Sequence, residues 1–241
     1  MKTPLQEKMP LIDIVMTHKN RLDYLKQTLK ALWERTKSDY TLSIIDDGSD
    51  DGSREYLWEL FKKKKLKTLL LKQKTEGYLP AINDIVETSN SDFFVFMTDD
   101  TILPDIEPDW LQTMWQEFDW LLDLGMLGLN NPTADLHTVF TKYEKIHIID
   151  QINSNVIMLR RDSFSKIPEI EGIFNEMLPL SVNCINANRK IAYMPDVYTL
   201  HIGRKTSLPN FYLNDEYDPK TFIEVNPKTL KPKELNARMD K

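Results

Sequence analysis

Short apolar runs alternate with segments of helical periodicity over the first 130 residues, and this alternation constrains the fold more than any other feature. Four of the runs, Leu11–Met16, Tyr40–Ile45, Leu66–Leu71 and Phe93–Met97, have the length of β-strands. Between the first two, leucines recur at spacings of three and four across Leu22–Leu32, which predicts a helix with one apolar face. Strands that alternate with helices indicate βαβ crossovers, so we expect an α/β fold whose mostly parallel central sheet is flanked by helices.

The later part of the chain is less regular. Pro80 is expected in the first turn of a helix. Trp110–Leu122 has the spacing of a further helix, and Asn155–Leu159 and Ile191–Met194 are candidate strands. Residues 205–241 are rich in Pro, Lys and Asn, which predicts an extended tail instead of a second domain. A chain of 241 residues is then one large domain with a tail.

Composition narrows the class of protein. The 31 Lys and Arg residues against 37 Asp and Glu give a net charge of −6, which disfavours a general electrostatic grip on nucleic acid. A single cysteine, Cys184, excludes an internal disulfide framework and suits a reducing compartment. No apolar run approaches the roughly 18 residues that span a bilayer, and the polar N-terminal segment does not resemble a secretory signal. We therefore expect a cytoplasmic protein with no integral membrane contact.

Polar residues follow three of the predicted strands at the point where each strand ends. These segments are Thr17–Arg21, Asp46–Ser49 and Thr98–Asp100. In parallel α/β sheets, ligands bind beyond the carboxyl ends of the strands. We therefore expect the three segments to converge on one rim that holds the functional site.

Two adjacent carboxylates, Asp99 and Asp100, directly follow the apolar run Phe93–Met97 and Thr98. Like charges side by side are costly unless a cation or hydrogen bonds hold them. Carboxylate oxygens suit Mg²⁺ or Mn²⁺, so the pair is a candidate metal site. The alternative is that one carboxylate caps a helix and the other is solvated.

The acidic segment Asp46–Gly52 is a second candidate binding element. Its side chains could accept hydrogen bonds from a nucleobase or from ribose hydroxyls. Gly48 and Gly52 suit a positive φ or the close approach of a ligand. The alternative is a turn with local Asx hydrogen bonds that leads into a capped helix.

These segments together resemble a known family. The stretches IDIVMTHKNR, IIDDGSDDGS, GYLPAIN and FVFMTDD, in this order, resemble the inverting family 2 glycosyltransferases with the A-type fold. Thr98–Asp99–Asp100 is similar to the family's D-x-D-type motif. His201, in the segment Pro195–Gly203, resembles the late histidine that ligates the metal in the family. The resemblance covers residues 11–203 and is weakest over 130–190.

The resemblance implies a single Rossmann-like domain over residues 1–204, with a nucleotide-binding half at 11–104 and an acceptor half at 130–204. It also implies transfer of a sugar from a nucleotide-diphosphate donor, most often UDP- or dTDP-linked, to a glycan or another hydroxyl acceptor. The resemblance implies that Thr17 and Arg21 lie against the nucleotide, that Asp47 or Asp46 contacts the base, and that Gly77 and Asn83 lie over the nucleotide. It implies that Asp99 contacts the ribose or the metal ion. It implies that Asp100 and His201 are ligands of Mn²⁺ or Mg²⁺.

The catalytic base is where the sequence departs from the family pattern. An inverting transfer needs a carboxylate to deprotonate the acceptor hydroxyl. The family's Glu-Asp pair falls on Glu176–Met177, so Glu176 is the predicted base and Met177 stands where the second acid would be. A rival alignment places Leu180–Asn183 at the base position, where no carboxylate occurs. Asp162, Glu169 and Glu171 are the other candidates.

Three alternative functions remain open at this point. A nucleotide-sugar-binding protein would have kept the donor site and lost the base. A sugar nucleotidyltransferase would normally carry a glycine-rich loop after the first strand, and Thr17–Arg21 contains no glycine. Transfer to DNA with hydroxylated bases would use local positive charge such as Lys62–Lys67, against the negative net charge.

A peripheral membrane contact is the alternative to a freely cytoplasmic location. His18, His137 and His147 are interpreted as structural.

Overall fold

A computed structural model describes residues 9–131, 139–164 and 177–203. The helices in these residues are Leu22–Arg35 (α1), Ser53–Lys62 (α2), Tyr78–Glu87 (α3), Trp110–Trp120 (α4) and Met177–Asn186 (α5). The strands are Ile12–His18 (β1), Tyr40–Asp46 (β2), Thr68–Leu71 (β3), Phe93–Thr98 (β4), Thr101–Ile102 (β5), Leu124–Asn130 (β6), Val139–Lys142 (β7), His147–Ile149 (β8), Val156–Arg160 (β9), Lys190–Tyr198 (β10) and Leu200–His201 (β11).

Nine of these strands form one sheet in the order β3-β2-β1-β4-β9-β6-β10-β8-β7. Strands β9 and β8 pair antiparallel with their neighbours, and the other strands of the sheet run in one common direction. The predicted α/β fold with a mostly parallel sheet is confirmed. The antiparallel β9 was not expected, because an apolar run does not reveal the direction in which a strand is inserted.

Strand β1 lies between β2 and β4, and all of its residues are buried. Its side chains alternate between the two faces of the sheet, as the pleat requires. Ile14 packs in the cluster that contains Leu29 of α1, and Val15 packs in the cluster that contains Ile85 of α3. Helices therefore cover both faces of β1 and hold its carboxyl end in place.

The predicted helix at Trp110–Leu122 is correct except at its end. Helix α4 ends at Trp120, and Leu122, where the predicted helix ended, is 62% exposed in the turn before β6. Pro80 lies in the first turn of α3, as predicted. None of the helices in the described part of the chain has the length and apolar character needed to cross a membrane.

A separate two-stranded sheet brings the end of the described chain to the rim. In this sheet Leu200 pairs with Ile102 and His201 pairs with Thr101. The backbone N–H of Ile202 donates a hydrogen bond of 2.9 Å to the carbonyl of Asp100. His201 is thereby placed beside the carboxylates that follow β4. The predicted tail at 205–241 lies outside the described residues.

Candidate active site

The three polar segments meet at the carboxyl end of the sheet, as the sequence predicts. Thr17 of β1 is in register with Thr98 of β4, and His18 is in register with Asp46 of β2. The residues that follow these strands therefore lie on one rim. Thr17 itself is buried.

Arg21 bridges the two adjacent carboxylates. One guanidinium nitrogen donates a hydrogen bond of 2.8 Å to Asp100 Oδ2, and another donates one of 2.6 Å to Asp99 Oδ1. Asn20 and Arg21 both have positive φ, at 54° and 62°, which non-glycine residues rarely adopt. The unusual backbone turns the Arg21 side chain towards the rim, where it offsets the repulsion between the two carboxylates.

The imidazole of His18 joins Asp99 to the start of α2. Nδ1 lies 2.5 Å from Asp99 Oδ2 and Nε2 lies 2.7 Å from the hydroxyl oxygen of Ser53. All three residues are buried. The sequence interpretation treated His18 as structural and so missed its contact with a candidate site residue. Its position at the end of a buried strand was the available signal.

Asp100 contacts His201 and Gly203. His201 Nε2 lies 3.0 Å from Asp100 Oδ2, whereas Asp100 Oδ1 is buried and has no hydrogen-bond partner. A Cβ atom on Gly203 would lie 2.2 Å from Asp100 Oδ2, so only glycine fits against this carboxylate. Asp100 thus presents one unsatisfied oxygen in a closely packed setting, which is costly unless a ligand completes it.

The two carboxylates have different ionisation behaviour. Burial dominates at Asp99 and raises the pKa of its carboxyl, although His18 and Arg21 act in the opposite direction. Burial alone would also raise the pKa of Asp100. There, the hydrogen bond from His201 and the charge of Arg21 outweigh burial and lower the pKa. Of the two carboxyl groups, that of Asp100 is therefore the more readily ionised.

Asp47 holds the loop that leads into α3. Its carboxylate accepts hydrogen bonds of 2.9 Å from the backbone N–H groups of both Glu76 and Gly77. The Thr75 hydroxyl donates to the Asp47 carbonyl at 3.1 Å. Gly48 permits this close contact, because a Cβ atom there would lie 2.9 Å from the Thr75 nitrogen. The loop before α3 is therefore fastened to the end of β2.

The neighbouring Asp46 is wholly buried. Its Oδ1 accepts hydrogen bonds from the backbone N–H of Ser49 at 3.0 Å and from Arg54 at 3.1 Å. Its Oδ2 is buried without a hydrogen-bond partner. Gly77 is the residue before the first turn of α3, with φ of 105°, and Asn83 is buried within α3. The roles of these residues towards a nucleotide stay predictions.

The candidates for the catalytic base are only partly placed. Glu176, Glu169 and Glu171 lie outside the described residues. Asp162 follows β9, whose end pairs Arg160 with Phe93 at the start of β4. That is the opposite end of β4 from Asp99, so the structure does not bring Asp162 to the candidate site. It forms an ion pair with Arg189 instead.

The described residues contain no ready-made group of three or more His, Cys, Asp or Glu side chains around a single ion position. Asp100 and His201 are therefore the two predicted metal ligands that the structure brings together.

Comparison with known proteins agrees with this fold. Residues 13–128 match the family model for glycosyl transferase family 2. A Haemophilus influenzae protein described as an uncharacterized glycosyltransferase is 30% identical over 187 residues, which cover 73% of this chain and 72% of that protein. Protein CgeD of Bacillus subtilis is 23% identical over 143 residues, which cover 57% of this chain and 30% of CgeD.

Solved structures share the fold at low sequence identity. The mannosyltransferase PcManGT from Pyrobaculum calidifontis, in complex with GDP-Man and Mn²⁺, has a TM-score of 0.64 at 12% identity, over 87% of this chain and 60% of its own. GalNAc-T7 with UDP, GalNAc and Mn²⁺ has a TM-score of 0.66 at 11% identity, over 81% and 44%. S. aureus TarS 1-349 in complex with UDP has a TM-score of 0.60 at 14% identity, over 79% and 60%. This chain thus spans less than two thirds of each.

The fold and the sequence matches together define a glycosyltransferase with the A-type fold. The chain belongs to glycosyl transferase family 2. The resemblance drawn from the four sequence motifs is confirmed.

Proposed function

We propose that this chain transfers a sugar from a nucleotide-diphosphate donor to an acceptor hydroxyl, with a divalent metal ion and with inversion at the anomeric carbon. The observation that carries the proposal is the carboxylate pair Asp99–Asp100 at the carboxyl end of the sheet, with Asp100 Oδ1 buried and without a partner. A cation that bridges to a diphosphate would satisfy this oxygen.

The residues present fit Mn²⁺ or Mg²⁺. Asp100 offers a carboxylate oxygen, the donor type that suits Mg²⁺ and Mn²⁺, and His201 offers an imidazole nitrogen, which transition metals accept. These two residues would hold the ion, and Asp99 would contact it or the ribose. When bound, the ion would supply a Lewis acid that neutralises the charge of the departing nucleoside diphosphate.

Arg21 would add fixed positive charge at the same place. Its guanidinium is held by both carboxylates, and its side chain is 26% exposed at the rim. Since a guanidinium carries five N–H donors, it can contact phosphate oxygens as well as the carboxylates. This interaction would hold the diphosphate in place while the bond to the sugar breaks.

The nucleotide would lie between the ends of β1 and β2 and the start of α3. Asp47, or Asp46, would accept hydrogen bonds from the base, with Thr17, Gly77 and Asn83 around the nucleotide. The relatives solved with GDP-Man and with UDP support a nucleotide-diphosphate donor. We propose a UDP- or dTDP-linked donor and a glycan or other hydroxyl acceptor.

Glu176 is the proposed general base. It would take the proton from the acceptor hydroxyl on the face of the sugar opposite the diphosphate, which gives inversion. The change Glu176→Gln should preserve donor binding and reduce turnover by about 10²–10⁴-fold. Wild-type turnover in this variant would assign the base elsewhere. Donor binding without turnover in the wild-type chain would favour the nucleotide-sugar-binding alternative.

The decisive experiment is a thermal-shift panel with UDP, GDP, CDP and dTDP, each with and without Mn²⁺. A ligand that binds only the folded state raises the melting temperature by mass action. We expect a Mn²⁺-dependent rise with one nucleotide, and loss of that rise in Asp100→Asn. Asp13→Asn is the matched control, because Asp13 is equally buried and paired with Lys67 but lies near the opposite end of β1. No rise with any nucleotide would contradict the proposal.

We also propose a cytoplasmic location, with a glycosyltransferase domain at residues 1–204 and an extended tail at 205–241. The lone Cys184 is buried, and burial raises the pKa of its thiol to about 12, so it is unreactive as a nucleophile. Cell fractionation of the full chain tests the location, and recovery in the membrane pellet would favour the peripheral alternative. Limited proteolysis tests the boundary, which should lie near residue 204.

A further inference from the structure

A cleft of about 480 Å³ lies between the last turn of α4 and the turn that joins β7 to β8. Its volume is within the usual range for small-molecule sites, about 300–1,000 Å³. Its lining includes Glu117, Asp119, Trp120, Tyr143, Glu144 and Lys145.

The cleft is separate from the donor rim. Trp120 ends α4 just before the amino end of β6, and β6 runs in the same direction as β4. The candidate active site lies at the carboxyl ends of these strands. Since β6 has seven residues, the two ends of the strand are about 20 Å apart.

Two partly exposed aromatic rings form one side of the cleft. Trp120 is 41% exposed and Tyr143 is 37% exposed. Their centroids are 5.2 Å apart with an interplanar angle of 78°. Trp120 Nε1 donates a hydrogen bond of 2.5 Å to Glu117 Oε2, and Glu117 itself is 2% exposed. The aromatic surface is thus fixed in orientation and open to a ligand.

The charges around the cleft select against anions. Three carboxylates, those of Glu117, Asp119 and Glu144, line it together with one ammonium group, that of Lys145. A nucleotide or a phosphate would be repelled by this excess of negative charge. Carboxylates, an ammonium group and aromatic faces instead suit hydroxyl groups and the apolar faces of sugar rings.

We infer that this cleft binds a neutral oligosaccharide, as a subsite for the part of a glycan acceptor or product that lies away from the reacting hydroxyl. The inference rests on the proposed function only for the identity of that glycan. The proposed ligand is an uncharged sugar chain, and not a nucleic acid or a charged lipid headgroup.

Saturation-transfer difference NMR on the full chain tests the inference with maltotriose, cellotriose, chitotriose and mannotriose. Chitotriose is used as its fully N-acetylated form, which is uncharged, and we expect at least one trisaccharide to bind the wild-type chain. Tyr143→Ala should weaken that binding by about tenfold, because one of the two aromatic contacts is lost. Trp120→Phe keeps an aromatic ring but removes the hydrogen bond to Glu117, so we expect a smaller loss there.

Trp58→Ala is the matched control. Trp58 is 48% exposed and stacks on another aromatic side chain, Phe61, and both residues lie on α2, away from the cleft at the end of α4. This variant should bind the trisaccharide as the wild-type chain does. UDP with Mn²⁺, added to the same samples, should leave the trisaccharide signal unchanged. Failure of all four sugars to bind, unchanged binding in Tyr143→Ala, or displacement by UDP with Mn²⁺ would each overturn the inference. Nucleotide binding, measured separately by thermal shift, shows whether the proposed function also fails.

Discussion

The imidazole of His18 lies 2.5 Å from the carboxylate of Asp99, although the two residues are 81 positions apart in the chain. This contact uses one oxygen of Asp99, and Arg21 binds the other. His18 is the last residue of β1 and Arg21 comes shortly after it, so this end of β1 holds both oxygens of Asp99. The end of β1 thus fixes the position of a carboxylate that follows β4.

Replacement of His18 should disturb the site through Asp99. His18→Ala removes the partner of Asp99 Oδ2, while Asp99 Oδ1 keeps Arg21 and the Ser53 hydroxyl still donates to Asp51. We therefore expect a stability loss of about 1–3 kcal/mol, from the one buried oxygen left unsatisfied. Mn²⁺-dependent nucleotide binding, measured by calorimetry, should fall more than stability alone explains. His18→Asn, which can still donate one hydrogen bond, should restore part of the affinity. Equal affinity in the Ala and Asn variants would show that His18 does not position Asp99.

Gly203→Ala should displace Asp100. The added Cβ atom would lie 2.2 Å from Asp100 Oδ2 and 2.8 Å from Asp100 Cβ, which forces the carboxylate to move. Overpacking of this kind typically costs about 1–3 kcal/mol in stability. We expect weaker Mn²⁺ binding, measured by electron paramagnetic resonance without nucleotide. Ile202→Ala, one position earlier, keeps the backbone hydrogen bond to Asp100 and serves as the control.

Asp47→Ala should release the loop before α3. Both carboxylate oxygens of Asp47 accept hydrogen bonds from amides of this loop, at Glu76 and Gly77. Without them, these amides should exchange hydrogen faster, by about tenfold for each 1.4 kcal/mol of lost protection. Hydrogen exchange followed by NMR measures this directly. Protection equal to that of the wild-type chain would mean that other contacts hold the loop.

Glu117→Gln should raise stability at neutral pH and not in acid. Burial raises the pKa of the Glu117 carboxyl in the folded chain above its value in the unfolded chain. The protonated carboxyl therefore contributes its full stability at pH values below the unfolded pKa. This contribution is lost as the pH rises through the pKa of the folded chain. Glutamine is neutral at every pH and can still accept the hydrogen bond from Trp120. The difference in melting temperature between variant and wild type should shrink as the pH is lowered to about 4. A constant difference would contradict the raised pKa.

Strands β1 to β4 could be predicted because each coincides closely with a short, mainly apolar run of the sequence. Phe93–Met97 illustrates this, since the run occupies all but the last residue of β4. The convergence of Thr17–Arg21, Asp46–Ser49 and Thr98–Asp100 followed from strand direction alone. Strands β7 and β8 were not predicted, because their segment mixes exposed polar and apolar side chains without a clear period.

Contacts at the candidate site were harder to foresee than its location. The sequence singled out Asp99 and Asp100 but did not indicate that Arg21 bridges them, because the bridge depends on positive φ at two residues that are not glycine. The attachment of Asp47 to the amides of Glu76 and Gly77 depends on how one loop folds over another. Local patterns carry no information on such pairings.

The pairing of β11 with β5 has a consequence for the order in which the site is made. Asp100 meets His201 only after a further 101 residues have been added to the chain, because the short strand at Leu200–His201 must pair with Thr101–Ile102. Synthesis starts at the N-terminus, and a domain generally folds as a unit. On the ribosome, Arg21 and Asp100 are therefore both made well before His201. A chain that stops before Leu200 would have the carboxylates and Arg21 but neither β11 nor the histidine.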